Sequence, residues 1–559
     1  MKNLLFPAIL LGMAGTAIAS VDGRCYMQPE HAEGFAAKAP EVRPLNLVMP
    51  DASAEDIITA PEGEAFDNLV RSDVSFYNYM GLPNISSSDA FVDRYVVDSE
   101  GNIYINPVTT YLQPGLTGYV KLTKDADDTY TARFPQAFYM DAYSQQFAFA
   151  VRLVLTVSDE GIWYNIDEEN TDVRFVMEDG VLHQADMSTT EGYPNEIIGM
   201  VDPSGSWSIY GSGNISLKSL SETEMPVMLP DNAEVSAIVL RYNDIDQMTG
   251  EILSKAMKVD VATDPADAAS IYMANPYSRM PGGWIKGAVA ENGSWSFGPQ
   301  YMGVYADAKL HTWFKPATYV IDTMEQYGQT VYFRNFTLAD NITLHYDAAS
   351  DSYVGDDDSA MLINASDNMV FYLEGYASPI LKPLQDVAAV PADPSFMSVS
   401  PFSGVSGYIS FTLPNEDVDG NFLDPDRMYY RVYINENEDE PFVFTTAEYR
   451  NLTEDMTDIP YTFADMYDIS NYGTTHGFYF YRGDVTSWGL QSVYVGGGVT
   501  NTSDIVWYVI SGVADIETDE VVEAIYYDLS GNRVDNPDNG IFIKRIISGE
   551  GVRTVKVRR

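Results

Sequence analysis

The sequence predicts an all-β protein built from tandem β-sandwich domains, and three observations lead to that class. Aromatic residues are abundant, with 39 Tyr and 25 Phe among 559 residues, and aromatic and β-branched side chains favour pleated, half-buried surfaces. Short runs alternate apolar and polar residues and end in Gly, Asn, Asp or Pro turns, the pattern of half-buried strands. Long stretches with helical periodicity are hard to find. At 45% hydrophobic and 20% charged residues the composition is that of a folded chain. Its length of 559 residues suggests about three to four domains.

Residues 1–19 read as a signal peptide. Lys2 supplies the charged start, residues 4–13 the apolar stretch, and Ala17-Ile18-Ala19 the cleavage site before Ser20. The apolar stretch is shorter than the roughly 18 residues of a membrane span, and no later segment reaches that length, so no transmembrane segment is expected. Export to the extracellular space or outer cell surface is the expected localisation. The single cysteine, Cys25, excludes an intrachain disulfide. Preceded by Asp22-Gly23-Arg24 and not by small apolar residues, it reads as an incidental thiol. Residues 20–65, with Pro29, Pro40, Pro44, Pro50 and Pro61, read as a flexible leader.

An internal repeat follows. Asn102-Ile103-Tyr104-Ile105-Asn106-Pro107 is echoed by Ser270-Ile271-Tyr272-Met273-Ala274-Asn275-Pro276. Gly118-Tyr119-Val120-Lys121 parallels Gly283-Trp284-Ile285-Lys286, and Phe134-Pro135-Gln136-Ala137-Phe138-Tyr139 parallels Phe297-Gly298-Pro299-Gln300-Tyr301. The order is kept and the offsets stay within 163–168 residues. Solenoid units repeat every 20 to 50 residues or so, so this period marks a duplicated domain. The copies are placed at 66–230 and 231–385. Each reads as β: "YVKLTKDADDTYTARF" is a hairpin with an Asp-rich turn, and "WIKGAVAENGSWSF" repeats it with Asn292-Gly293 at the tip. Asp179-Gly180 separates two further strand-like runs.

Pro379, Pro383, Pro391 and Pro394 suit an extended connector. Residues 386–512 then read as a β-sandwich of immunoglobulin or fibronectin type III kind, with "GYISFTLP" and "MYYRVYINEN" as alternating strands. The last segment, 513–559, reads as strand, Ser-Gly-Asn turn, strand, loop, strand. Its residues 522–559 carry seven basic and five acidic side chains, whereas the rest of the chain is net −51.

The text Tyr526-Tyr527-Asp528-Leu529-Ser530-Gly531, then Arg533-Val534, Gly540-Ile541-Phe542-Ile543 and the basic end, resembles the sorting domain of the type IX secretion pathway of Bacteroidetes. "PADPSF", "ISFTLP", "DVDGN" and "YYRVYI" look like the fibronectin-III-like modules of exported proteins from the same bacteria. The resemblance implies export, surface placement and the secretion machinery as a partner of the C-terminal segment. It implies no reaction.

A net charge of −49 repels nucleic acid and anionic membranes, so neither is an expected partner. Catalytic signatures are sparse. His31, His183, His311, His345 and His476 are the only histidines, with no HExxH spacing, no G-x-S-x-G elbow and no phosphate-binding glycine loop. No cofactor and no catalytic residue are therefore assigned. Paired carboxylates suit a glycoside hydrolase, but 81 acids offer such pairs by chance in nearly any fold. Weak Ca2+ candidates are Asp356, Asp357, Asp358, Asp417 and Asp419, against a plain reading as turns. Arg482-Gly483-Asp484 spells an adhesion tripeptide, and here reads first as an ordinary turn. Trp207, Trp284, Trp295 and Tyr301 could form a glycan- or protein-binding platform, against the plainer reading as sandwich core. The expectation is a non-catalytic secreted or cell-surface protein that binds or adheres to glycan or a host protein. The alternatives are a structural or assembly component of the surface and a carboxylate-based glycoside hydrolase.

Overall fold

The computed structural model describes most of residues 52–509 and the strand residues 26–27, 41–42, 521–527, 533–534, 541–548 and 551–558. The expected signal peptide, Cys25 and most of the leader lie outside the described residues, as do 109–117, 141–146, 202–206 and 275–282. The described chain is almost entirely strand, with two three-residue 3-10 turns and no α-helix, which establishes the all-β class. It divides into two compact units, Met1–Leu384 and Gln385–Arg559.

The first unit contains both copies of the repeat, and twelve strands of each match in order; the first copy adds a small hairpin, Thr189–Thr190 with Tyr193–Pro194. The first copy supplies β1 (Glu64–Tyr79), β2 (Leu82–Val97), β3 (Ile103–Ile105), β4 (Val120–Ala126), β5 (Thr129–Arg133) and β6 (Gln136–Met140). It continues with β7 (Phe147–Ser158), β8 (Gly161–Ile166), β9 (Asp172–Glu178), β10 (Val181–Gln184), β11 (Glu196–Val201) and β12 (Trp207–Lys218). The second copy supplies β13 (Glu234–Ile245), β14 (Ile252–Asp264), β15 (Asp267–Ala274), β16 (Trp284–Val289), β17 (Trp295–Phe297) and β18 (Gln300–Tyr305). It ends with β19 (Leu310–Gln326), β20 (Gln329–Leu338), β21 (Ile342–Asp347), β22 (Ser352–Val354), β23 (Ser359–Asn364) and β24 (Phe371–Pro383).

Eight strands of the first copy pair in a closed ring: β1, β2, β3, β4, β5, β9, β10, β12 and back to β1. The second copy closes the same ring twelve strands later, from β13 through β14, β15, β16, β17, β21, β22 and β24 to β13. The faces expected of a sandwich are thus joined into a barrel. A long strand does the joining. Ser216 to Lys218 of β12 lie beside β10, its earlier residues lie beside β11, and its other edge follows β1. Closure removes the free edges that an open sheet exposes. Outside each ring, β7 pairs with β6, β8 and β11, and β19 pairs with β18, β20 and β23 and, at Leu310, with Phe91 on β2 of the first copy.

Local sequence explains the strands. Val120 and Leu122 face the first barrel's interior while Lys121 and Thr123 alternate with them on the other face, the period-two pattern of a strand with one buried face. Ile103, Ile105, Val173, Phe175, Ile215 and Leu217 fill the same interior; Ile271, Met273, Ile285, Phe297, Ile342 and Leu344 fill the second. Burying each such side chain stabilises by about 1.5–3 kcal/mol. Asp179 and Gly180 have φ of 50° and 78° between β9 and β10, as the type I′ turn of a two-residue hairpin requires. At the tip joining β16 and β17, Gly293 has φ of 83° and its N–H reaches the Ala290 carbonyl at 2.9 Å.

Side chains repeat as well. Gln136 Oε1 accepts the Lys121 N–H at 2.8 Å and its Nε2 donates to the Lys121 carbonyl at 3.0 Å. Gln300 holds Lys286 the same way, at 2.8 Å for both bonds. The Lys121 ammonium lies 5.7 Å from the Tyr104 ring centre and that of Lys286 5.6 Å from Tyr272.

In the second unit, β25 (Ser395–Ser403), β26 (Ser406–Thr412), β29 (Ile469–Tyr472) and β30 (Thr475–Phe480) form one sheet. The other comprises β27 (Met428–Ile434), β28 (Asp458–Pro460), β31 (Ser487–Gly496), β32 (Val499–Thr502) and β33 (Val506–Val509). Phe411, Phe478, Tyr430, Val432, Trp488 and Leu490 from both sheets share one core, which makes this a sandwich. Four more strands, β34 (Val521–Tyr527), β35 (Arg533–Val534), β36 (Ile541–Ser548) and β37 (Gly551–Arg558), form a separate antiparallel sheet.

Candidate functional site

The first unit carries a cleft of about 570 Å3. Its walls come from the end of β12 (Lys218), the connection between the copies (Ser221, Glu224, Met225, Val227), β16 (Lys286) and Pro299 to Tyr301. Trp313 and Lys315 on β19 and Asp367 after β23 complete it. Three of these twelve residues are Lys and two are acidic, whereas the whole chain has 32 basic and 81 acidic residues. The local balance of charge is therefore reversed.

Alternation along β19 puts His311, Trp313 and Lys315 on one face and Thr312 and Phe314 on the other. The His311 ring is fully buried. Its Nε2 lies 3.1 Å from the Leu69 carbonyl, which can only accept, so Nε2 carries the proton. Nδ1 then accepts the Tyr301 hydroxyl at 2.8 Å. Burial keeps His311 neutral by lowering its pKa, partly offset by Leu69 and Glu224. Burial, with the Glu224 carboxylate, pushes Tyr301 up to about 12. Lys315 is almost fully buried and donates to Asp367 at 2.6 Å.

The loop bearing Asp367 is held by Asn364, whose Nδ2 donates to the Ser366 and Met369 carbonyls at 2.5 and 2.7 Å. Its Oδ1 accepts the Phe371 N–H at 2.8 Å. Ser366 donates to Asp89 of the first copy at 2.6 Å. The first copy thus forms part of the cleft's surroundings through Leu69 and Asp89. Glu224 is engaged by the Ser221 N–H at 2.8 Å, so both cleft carboxylates have partners. Trp313 is 3% exposed and its Nε1–H has no hydrogen-bond partner among the described residues.

The first copy shows the matched face with apolar side chains in place of these polar ones. Gln136 pairs with Ala150 and Ala137 with Phe149, while Gln300 pairs with Phe314 and Tyr301 with Trp313. Trp313 therefore stands where the first copy has Phe149, Tyr301 where it has Ala137, and Lys315 where it has Val151. One pair further, Asn364 stands where it has Val201. In the first copy Phe149, Val151, Leu153 and Val201 form a dry apolar cluster. In the second copy that layer resumes only at Ala317, with Phe336 and Leu362.

Of the residues read from sequence, only Tyr301 lines the cleft. Trp295 is core, stacked on Tyr353 with ring centres 3.7 Å apart. Trp284 is half-buried opposite Ala274 on β15. Trp207 pairs with Val201 at the start of β12, and its side chain lies outside the described residues. Trp295 fills a barrel, and neither it nor Trp284 borders the cleft with Tyr301.

Asp417 closes its own turn, accepting the Asp419 and Asn421 N–H groups at 2.9 and 2.8 Å. Asp356 begins the turn in which the Ser359 N–H reaches its carbonyl at 2.9 Å, and Asp357 and Asp358 lie within it. Among the described residues no group of three His, Cys, Asp or Glu is placed to hold a metal ion, and no helix is long and apolar enough to cross a membrane. Arg482 lies over the Phe442 ring at 6.0 Å, and Asp484 is outside the described residues.

Sequence reading missed Lys218, Lys286, Lys315, Trp313 and Asp367. The signal was the repeat itself: carried one strand further, its alignment sets Lys315 against Val151. No protein-family model matches the chain, and no curated protein matches it in sequence.

Proposed function

We propose that this chain is an exported, non-catalytic binding protein of a bacterial cell surface, which recognises a glycan or partner protein through the cleft of its second barrel. One observation carries the reading. Two copies keep the same strands, the same glutamine clamp and the same Lys–Tyr pair, yet one face has changed from a dry apolar layer to a charged cleft. Folding does not demand the change, because the first copy folds without it. A buried lysine in place of valine costs desolvation and is kept only with a partner, here Asp367. The non-catalytic reading draws support from the two cleft carboxylates, each committed to a neighbour. The export reading rests on residues 1–19 and on the sorting-domain resemblance of 522–559.

A glycan and host-protein array probed with the full chain tests the binding reading. Hits that disappear in the Lys218→Glu/Lys286→Glu variant and persist in Lys121→Glu support it. Hits unaffected by the cleft substitutions refute it. Export is tested by deleting 522–559 and following localisation; unchanged display removes the sorting role.

One observation favours a second reading, an assembly component. The outer edge of β8 is extended by the parallel pair Glu41–Val42. The equivalent β20 pairs with β19 alone among the described residues, apart from the Tyr332 N–H bond to Gln247. An edge of this kind accepts a strand from another chain. Concentration-dependent oligomers that a Thr330→Pro substitution, at an exposed residue of that edge, abolishes would favour it.

A further inference from the structure

We propose that the cleft selects a carboxylate-bearing sugar, a uronic or sialic acid, free or at the end of a glycan. The proposal rests on the binding reading above and narrows its ligand.

Charge comes first. A chain of net −49 repels anions at long range, so an anionic ligand needs a local reversal within a Debye length of about 8 Å at physiological salt. The cleft supplies one. Of its three lysines only Lys315 is neutralised by a carboxylate hydrogen bond, to Asp367. Lys218 is exposed and makes no side-chain hydrogen bond or ion pair among the described residues. Lys286 is exposed and rests over the Tyr272 ring. Two ammonium groups therefore remain for a ligand oxyanion, and charge-assisted bonds of this kind are about twice as strong as neutral ones.

Polar inventory comes second. The Trp313 Nε1–H is a buried donor without a partner, and such groups are rare unless something meets them. The Tyr301 oxygen donates to His311 and keeps lone pairs to accept a hydroxyl. A donor, an acceptor, two cations and the apolar Met225, Val227 and Pro299 match a sugar acid, whose ring bears hydroxyls and apolar C–H faces. The volume of about 570 Å3 falls among small-ligand sites.

Backbone comes third. A peptide bound as an added strand needs open main-chain groups. Here the Lys286 N–H and carbonyl are both taken by Gln300, and the Gly303 carbonyl accepts the Thr312 hydroxyl at 2.9 Å. Recognition therefore falls to side chains, which suits a sugar over a strand-forming peptide.

The test is calorimetric titration of the full chain with glucuronate, N-acetylneuraminate and oligosaccharides ending in each. Glucose, neutral oligosaccharides and a short peptide with a free C-terminus serve as comparisons, at low and at physiological salt. Acidic sugars are expected to bind one per chain, at least tenfold tighter than neutral ones, and more weakly as salt rises. Lys218→Gln and Lys286→Gln should each weaken binding about tenfold. Lys121→Gln, the matched residue of the first copy, should change nothing. Free acids binding as tightly as the oligosaccharides would place recognition in the single acidic unit; much tighter oligosaccharides would place it at a glycan end. Equal binding of neutral and acidic sugars, abolished by cleft substitutions, overturns the acid preference while leaving the binding cleft standing. Binding of the peptide alone overturns the sugar. Silence toward every probe, together with array hits indifferent to the cleft, overturns both.

Discussion

His476 in the second unit should make the sandwich acid-sensitive by an amount that can be worked out. Its ring is 1% exposed. It is enclosed by Phe411, Tyr430 and Tyr461 with centres 5.8, 5.9 and 4.6 Å away. Neither nitrogen makes a hydrogen bond of ordinary geometry, and a weak approach to the Gly473 backbone offsets little of the burial cost. Burial therefore lowers the pKa from the ordinary 6.5 to about 4. Because the folded value lies below the unfolded one, the unfolded chain binds the proton first. The stabilising difference is fully present above pH 6.5 and is lost as pH falls toward 4. At 1.36 kcal/mol per unit, about 2 kcal/mol is lost by pH 5 and about 3 in total. His476→Phe keeps a flat ring and removes the titration. Denaturant unfolding of the full chain at pH 7.5 and pH 5 should show wild type losing about 2 kcal/mol more than the variant in the transition that the substitution shifts. Carboxylate protonation is common to both proteins and cancels. Equal pH dependence in the two would refute the reasoning.

Further expectations concern the first unit. Gln136→Ala and Gln300→Ala each remove the clamp on one lysine backbone, so each should cost about 1–3 kcal/mol in thermal or chemical unfolding, and by similar amounts because the geometry is shared. Arg71 is buried at 1% exposure and bonds Asp73, Asp93 and the Asn106 carbonyl at 2.7–2.8 Å, so Arg71→Ala strands two carboxylates and should cost about 3–5 kcal/mol. A further Asp73→Asn change should recover part of that loss, measured as a double-mutant cycle. At Gly118 an added Cβ would lie 1.7 Å from the Phe138 carbonyl oxygen, so Gly118→Ala should abolish soluble expression or shift unfolding by many degrees, whereas Gly180→Ala, which meets no neighbour, should cost only its backbone strain.

Local chemistry made much of the fold legible. Asp179-Gly180 and Asn292-Gly293 announce their hairpins because few residues accept positive φ. The recurring Pro-Gln pair marks the duplication because its glutamine does the same work in both copies. Ring closure was not legible, since it depends on β12 meeting β1 more than 100 residues earlier, and alternation along one strand says nothing about its neighbour. The cleft was hidden for a related reason. His311, Trp313 and Lys315 alternate with Thr312 and Phe314, and a face bearing His and Lys reads as solvent-facing until the first copy's Val151 is set beside it. Trp295 stayed open between core and platform because its three-residue strand is too short to reveal which face is buried.

Hydrogen exchange of the full chain, with and without a bound hit from the array, tests the central claim most directly. Each copy closes its own barrel of the same strand order, and recognition belongs to the cleft of the second. Protection is expected in 218–227, 284–289, 299–303, 313–315 and 365–370, with the matched strands of the first copy unchanged. Protection centred on the first copy's Phe147–Ser158 strand, or confined to the loops of the second unit, would contradict it.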